Sequence, residues 1–460
     1  VTLTENLDSL RAGFRGPLVV PGDGDYDAAR AVWNAMVDKR PSVVARCTGP
    51  ADVVAAVNFA RERGLATAVR GGAHSAAGKG TCDDGIVIDL SLMKGIRVDP
   101  AARRVRAQGG VRWGDFDHET QAHALATPGG VVSTTGISGL TLGGGFGWLT
   151  RRFGLSCDNL VSVDLVTAGG EQLVCSDDEN TELFWALRGG GGNFGVATSL
   201  EYQLHPVGPL VFGGLIGWPL DRAAEILAFH REQTRTAPDE LGLSAAFVTA
   251  PPLPFVPEAL HFQPAVVVIF CWSSDLDEGH DIVRPWLDLA PPIQVVDAMP
   301  YTVMQSIQDE FAPPGRQSYW KAGYLTELTD DAITAAVDVA AKVPSPFSLA
   351  EIVLWGGAIA RVAADVTAYG QRDGRFLFNA VSMWEDPAAT DANVSWTRAF
   401  YDAMQPFATG GAYVNFLSEE GDDRIKAAYG AGKFARLAQI KAQYDPENLF
   451  RLNQNIPPAG

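Results

Sequence analysis

His74 stands in a run of small residues, Arg70-Gly71-Gly72-Ala73-His74-Ser75. A neutral imidazole nitrogen is a nucleophile, and a histidine of ordinary pKa is largely neutral at pH 7. The apolar stretch Leu65 to Val69 reads as a buried strand that empties into this run. A turn of small residues at the end of a strand presents free N–H groups that suit a pyrophosphate. About 55 residues later comes a second glycine-rich stretch, from Pro128-Gly129-Gly130 through Gly136 and Gly139 to Gly143-Gly144-Gly145-Phe146-Gly147-Trp148. Two such loops could grip one extended dinucleotide from both sides, whereas either alone is weak evidence.

Two familiar phosphate signatures fall short. Gly190-Gly191-Gly192-Asn193-Phe194-Gly195 satisfies GxGxxG as text, but a dinucleotide fold needs that string between a strand and a following helix. Here Glu182 to Leu187 reads as helix and Val196 to Leu204 as strand, the reverse order. Gly78-Lys79 suggests a P-loop, yet Ala73 replaces the first glycine and Gly80 stands where Ser or Thr would bind magnesium.

Taken in order, the segments resemble FAD-linked oxidases of the vanillyl-alcohol-oxidase and berberine-bridge-enzyme type. Arg70 to Ser75 resembles that family's RGGGH loop, with Ala73 at the third glycine. Gly136-Ile137-Ser138-Gly139-Leu140, the GGG cluster and Gly154-Leu155-Ser156-Cys157-Asp158-Asn159 follow suit, and Arg188-Gly189 to Gly195 resembles RGGGGNFG. Tyr413-Val414-Asn415-Phe416, Tyr444-Asp445-Pro446-Glu447-Asn448-Leu449-Phe450 and Asn453-Gln454-Asn455-Ile456 resemble the berberine-bridge C-terminal segment. The likeness covers nearly the whole chain except roughly 206 to 350.

The resemblance implies an α+β fold of two parts. A PCMH-type FAD-binding domain spans 1–205, a substrate domain with an antiparallel sheet backed by helices spans 206–411, and residues 412–460 return to the FAD domain. It implies FAD bound covalently through His74, with Arg70, Gly71, Gly72, Ala73 and Ser75 around it. In the second loop it implies cofactor contacts from Gly129, Gly130, Val132, Ser133, Thr135 and Gly136. Gly139, Leu140, Gly143, Gly145 and Gly147 continue that set, and Val196, Asn453 and Asn455 complete it.

Departures from the family pattern narrow the chemistry. Many relatives tether the flavin twice, through a cysteine four residues before the glycine of G-[IV]-x-G. Counting back from Gly136 gives Val132, so a single covalent bond is implied; Cys157 lies outside that slot and reads as a small packed residue. Thr135 falls at a slot that in this family faces the flavin and influences oxygen access, so its hydroxyl either steers the reaction with O2 or is merely tolerated.

Alcohol oxidation needs a group to take the hydroxyl proton, worth about 10²–10⁴-fold. The family's two base slots fall on Phe416 and Phe378, neither of which accepts a proton. Tyr413 keeps a hydroxyl and has Asn415 as polar companion, leaving a catalytic or a packing role open. Amine oxidation escapes the requirement, because a neutral amine can expel hydride directly. Trp355, Phe376, Phe378, Trp384 and Phe416 are candidates for an apolar pocket or for core, and a hydrophobic or already acidic substrate such as a phenol suits the missing bases.

The function implied is hydride transfer from a CH–OH or CH–NH carbon of a small organic substrate to FAD, with O2 as acceptor and H2O2 as product. An oxygen-poor dehydrogenase, an oxidative cyclase, a flavin oxygenase or a non-catalytic flavin-binding protein are the alternatives.

These residues must be placed by ordinary elements. A helix start at Thr48 to Asp52 carries Val53, Val54, Val57 and Ala60 on one face, and Gly64 ends it. Strands follow at Gly85 to Asp89, Arg104 to Gly109 and Leu160 to Thr167. After Pro206, strands at Leu241 to Thr249 and Ala265 to Trp272 alternate with helices at Asp221 to Arg235, Asp330 to Val343 and Asn393 to Met404. The 460 residues carry a net charge of −18, a field that repels nucleic acid and anionic membrane. The five cysteines form no CxxC pair, which suggests neither zinc nor a disulfide framework. No run reaches membrane-span length, and a cytoplasmic, reducing setting is the simplest expectation.

Overall fold

The computed structural model describes residues 7–460, so the first six residues of the expected 1–205 unit lie outside the described residues. The glycine loop containing His74 leaves a four-stranded sheet. In spatial order its strands are Leu18–Val19, Val43–Arg46, Ile86–Asp89 and Thr67–Arg70, the last three parallel. Parallel strands are covered on both faces and so read as unbroken apolar runs, as Ile86-Val87-Ile88 does. The crossover helix Pro50–Glu62 begins with proline at its first turn, where a missing N–H costs nothing. Asp52 ties the entry down, accepting from the Thr48 amide at 2.8 Å and the Thr48 hydroxyl at 2.6 Å. The strand read at Leu65 to Val69 runs instead from Thr67 to Arg70, which makes Arg70 its last residue and Gly71 the first of the loop.

A five-stranded antiparallel sheet follows, in the order Ile96–Asp99, Arg104–Gln108, Val196–Gln203, Leu160–Val166 and Gln172–Ser176. The chain's last long helix, Ala431–Tyr444, packs its Leu437 and Ile440 into the same core as helix Thr181–Leu187. On that helix Lys441 is wholly buried. Its ammonium donates to the Asp445 carboxylate at 2.6 Å, to the Asn193 carbonyl at 2.6 Å and to the Phe450 carbonyl at 3.1 Å. The C-terminal segment is thereby fastened to the Gly190–Gly195 loop.

The middle of the chain forms one seven-stranded antiparallel sheet. Its order is Ile293–Pro300, Leu210–Pro219, Pro264–Trp272, Leu241–Thr249, Leu349–Leu354, Phe376–Trp384 and Gln317–Leu325. Helices Ala223–Thr234, Asp330–Ala340 and Thr390–Met404 cover one face. Side chains alternate across a strand, so Phe376, Phe378 and Ala380 enter the helix-backed core while Asn379, Val381 and Met383 face the other way. This decides the aromatic reading: Phe376, Phe378, Trp355 and Trp384 are core residues at 2% exposure or less, and of that group Phe416 lines the large cavity between the glycine loops and the sheet. Two of the seven strands are visible in the sequence reading. The other five carry glycines or polar residues that blur the alternation.

A buried and a half-buried histidine give the fold a pH dependence. His230 is fully buried with neither ring nitrogen partnered, and His205 stacks on Phe153 at 4.0 Å while meeting the Asn159 side chain at 2.7 Å. Burial depresses both pKa values to about 4 from 6.5. The unfolded chain therefore binds more protons between about pH 4 and 6.5, and stability rises with pH across that window and levels off above it. Melting temperature against pH should show this rise, and His230→Leu should flatten part of it; an unchanged slope in the variant would exclude His230 as a source. Lys441→Met should cost about 3–5 kcal/mol in denaturant unfolding by stranding Asp445, and a loss under about 1 kcal/mol would deny the pair its anchoring role.

Candidate functional site

A cavity of about 690 Å³ runs from the glycine loops to the uncovered face of the seven-stranded sheet. That size lies within the range of ligand pockets, about 300–1,000 Å³. Its first half is mainly backbone: Gly71, Gly72, Gly136, Gly139, Gly191 and Gly192. Here the two loops touch. A Cβ on Gly72 would lie 2.2 Å from the Gly136 amide nitrogen, and one on Gly136 would lie 2.3 Å from the Gly72 nitrogen. Only glycine at both positions lets the chains pass this closely.

His74 follows directly. Ala73 before it has φ +60°, a left-handed conformation that favours glycine, so the RGGGH-type turn is kept here at some strain. The ring stacks on Trp33 with centroids 5.5 Å apart and an angle of 24°. Its Nε2 meets the Thr134 hydroxyl at 2.8 Å, whereas the Thr135 hydroxyl is 3.5 Å from Nδ1. Burial, helped by the charge of Arg112, pushes the His74 pKa down to about 4. The imidazole is therefore neutral at pH 7, with Nδ1 the less engaged nitrogen.

The residues read as cofactor contacts divide into two groups. Arg70, Gly71, Gly72, Ala73, Ser75, Gly130, Val132, Thr135, Gly136, Gly139, Leu140 and Asn453 all line the cavity with His74. Arg70 does so without offering its charge, since its guanidinium donates to the Ala29 and Ala31 carbonyls. The second group stands behind the wall. Ser133 is turned to Asp309, which accepts from its amide and its hydroxyl. Val196 belongs to the apolar core, and Asn455 has a buried Oδ1 without a partner. Gly129 and Gly147 pack on Trp113 and on the Gly129 carbonyl, respectively.

Gly143 and Gly145 have a different task. A Cβ on Gly143 would meet the Asn415 side chain at 2.0 Å, so glycine here admits the C-terminal segment. Asn415 donates to the Leu140 carbonyl and to the Tyr413 oxygen, both at 2.9 Å, and the Gly145 amide donates to the same oxygen at 3.0 Å. Tyr413 lines the cavity, yet its hydroxyl is an acceptor of two bonds and burial drives its pKa far up. It braces the loop, and proton abstraction by it is disfavoured. Thr135 also lines the cavity, with its hydroxyl on the His74 side.

The second half of the cavity is apolar, walled by Leu215, Val248, Val267, Ile269, Val381 and Met383, with Phe146, Trp320 and Phe416 near the junction. Polar residues interrupt it, Glu351 and Asn379 among them. Glu351 and Asn379 are paired across neighbouring strands, and the Asn379 carboxamide donates to Glu351 Oε1 at 3.2 Å. Burial raises the Glu351 pKa above the usual carboxylate value, with the bond from Asn379 and the nearby Ser244 hydroxyl acting the other way. Sequence reasoning missed both. It read Phe378 as a base slot, but Phe378 enters the helix-backed core and its neighbour Asn379 faces the cavity, since successive side chains on a strand point to opposite faces. A carboxylate inside Leu349-Ala350-Glu351-Ile352-Val353-Leu354 was the available signal. Trp33 and Gly191 to Asn193 also line the cavity unannounced.

The FAD binding domain family model matches residues 41–176, and the berberine and berberine-like model matches residues 412–457. An FAD-linked oxidoreductase of Dictyostelium discoideum is 32% identical over 93% of this chain and 91% of its own length. The (R)-6-hydroxynicotine oxidase of Paenarthrobacter nicotinovorans is 30% identical over 97% of this chain and 98% of its own. The crystal structure of 6-hydroxy-D-nicotine oxidase from Arthrobacter nicotinovorans superposes with a TM-score of 0.88 at 30% identity, covering 97% of this chain and 98% of that one.

The loop contact separates two kinds of glycine. Gly136→Ala should lower both flavin content and melting temperature, because its Cβ would strike the Gly72 backbone. Gly139→Ala meets no protein atom within 4 Å and should leave the melting temperature alone while weakening flavin binding from inside the cavity. Equal losses of stability in the two variants would show that the loops have freedom to part.

Proposed function

Since the chain belongs to the FAD-linked oxidoreductases of the berberine-bridge type, we propose that it carries FAD on His74 through a single covalent bond and oxidises a CH–OH or CH–NH carbon of a small, largely apolar molecule. The observation that carries this reading is one continuous cavity with a glycine-backbone half at His74 and an apolar half under the sheet. FAD held there would supply the hydride acceptor, with O2 as the final acceptor and H2O2 as the product.

The chain's own residues supply position and exclusion. The backbone of Gly71, Gly72, Gly136, Gly191 and Gly192 lets a large ligand approach closely, and the interlocked loops have no side chains to shed first. A neutral His74, with Thr134 on Nε2 and Trp33 against its ring, presents Nδ1 for attachment. Val132 offers no second tether. Phe146, Trp320 and Phe416 crowd the passage between the halves and keep water from the reacting carbon. An amine substrate is favoured on the side of the relative named for 6-hydroxynicotine.

Acid precipitation of the purified protein tests the tether. Yellow colour should stay in the pellet, map to the peptide containing His74 alone, and pass to the supernatant in His74→Ala. Colour wholly in the supernatant of the unaltered protein would remove the covalent claim. The depressed pKa of His74 keeps its ring neutral above about pH 4. Attachment of added FAD to apoprotein should therefore hold its rate as pH falls through 6.5 and decline only near 4; a decline centred at 6.5 would mean the ring is exposed to water when it reacts. Anaerobic bleaching of the flavin by candidate alcohols and amines identifies the substrate class.

A further inference from the structure

Across the middle of the seven-stranded sheet runs a row of paired residues, Ala246, Glu351, Asn379 and Ala322. The two outer members are small, so the central pair stands clear on the cavity side. Glu351 and Asn379 both line the cavity, and Asn379 is 1% exposed with its carboxamide oxygen buried and unpartnered. A buried acceptor without a partner is expensive unless something donates to it. The Ser244 hydroxyl, on the strand next to Glu351, is buried beside the Glu351 carboxyl.

The charges around the pair agree in sign. The other acid of the wall, Glu310, is exposed at the rim. The cations of the wall are committed elsewhere. Arg70 holds backbone carbonyls, Lys79 lies 3.6 Å from Glu419, and Arg316 pairs with Glu385 while covering the Phe347 ring at 3.6 Å. The substrate half thus offers two adjacent acceptors, one of them a carboxyl, in apolar surroundings with no free cation beside them among the described residues. A carboxylate or phenolate would meet a like charge there, whereas a group rich in N–H donors would satisfy both acceptors.

We propose that the Glu351–Asn379 pair is the anchor for a substrate nitrogen, so that the cavity takes an apolar amine in preference to an alcohol or an acid. The ammonium form docks first, donating to the Glu351 carboxylate and to the Asn379 oxygen. One proton then passes from nitrogen to a Glu351 oxygen: an N–H bond breaks, an O–H bond forms, and no bond to carbon changes. The neutral amine left behind has the free electron pair that oxidation at the adjacent carbon requires. Asn379 acts as a positioning residue through the bond it donates to Glu351. This inference rests on the oxidase reading above and narrows it.

Calorimetric titration of the flavin-loaded enzyme, reduced beforehand so that no turnover occurs, compares phenethylamine, phenylethanol and phenylacetate. The three put an ammonium, a hydroxyl and a carboxylate on one apolar frame. Phenethylamine should bind about tenfold or more tighter than phenylethanol, since a charged hydrogen bond is worth about 1.5–3 kcal/mol, and phenylacetate should bind least. Glu351→Gln should erase the amine's advantage and spare phenylethanol binding, Glu351→Asp should keep part of it, and both should retain full flavin content and melting temperature. An amine bound no tighter than the alcohol, or an advantage that survives Glu351→Gln, would overturn the proposal. If the flavin is on His74 and an alcohol bleaches it while amines fail to bind, the oxidase reading stands and the amine anchor falls. A protein without flavin removes both.

Discussion

Two backbones cross at Gly72 and Gly136 with less room between them than one carbon atom needs. The rest of the site follows from that contact. The second loop is close enough for Thr134 to reach the His74 ring only because the first loop lies against it, and Trp33 then closes the other side of the imidazole. Ala73 accepts a left-handed conformation to keep the turn, about 1 kcal/mol or more of strain placed beside His74. Small residues here are a geometric requirement of crossing chains as much as of a ligand.

Much of this was legible in the sequence, and the failures have physical causes. The parallel strands, the crossover helix and the antiparallel strands around Val196 are strong apolar runs bounded by glycine and proline, so their positions fall within a residue or two of the reading. The glycine clusters were legible as loops, but their text does not say which glycines face a ligand. Gly72 and Gly136 line the cavity, while Gly143 and Gly145 make room for Asn415 and Ser156. For Gly143 that division depends on Asn415, in the C-terminal segment far along the chain, and no local pattern encodes it.

The sheet shows the same limit in another form. A residue's face is set by parity, so an alignment wrong by one position exchanges pocket for core. Phe378, read as an empty base slot, is buried against helix Thr390–Met404, and the polar group at that level is Asn379. Glu351 became visible only when the strands were paired, because its partner comes from a separate strand with Asn379 directly across the ladder. Polarity in this cavity is a property of register.

The fastening of the Gly190–Gly195 loop has a further consequence for how the molecule is made. Lys441 holds the Asn193 carbonyl, Asn453 holds the Gly192 carbonyl at 2.6 Å, and the Ile456 amide holds the Asn193 side chain at 3.1 Å. All three come from the last twenty residues of this sequence. Until those residues dock, the Gly190–Gly195 loop lacks these three bonds, although the strands that carry both glycine loops precede them in the chain. The cavity is therefore closed by docking of a late segment, and a chain cut before Lys441 would keep the Gly72–Gly136 crossing while losing the bonds that hold the Gly190–Gly195 loop.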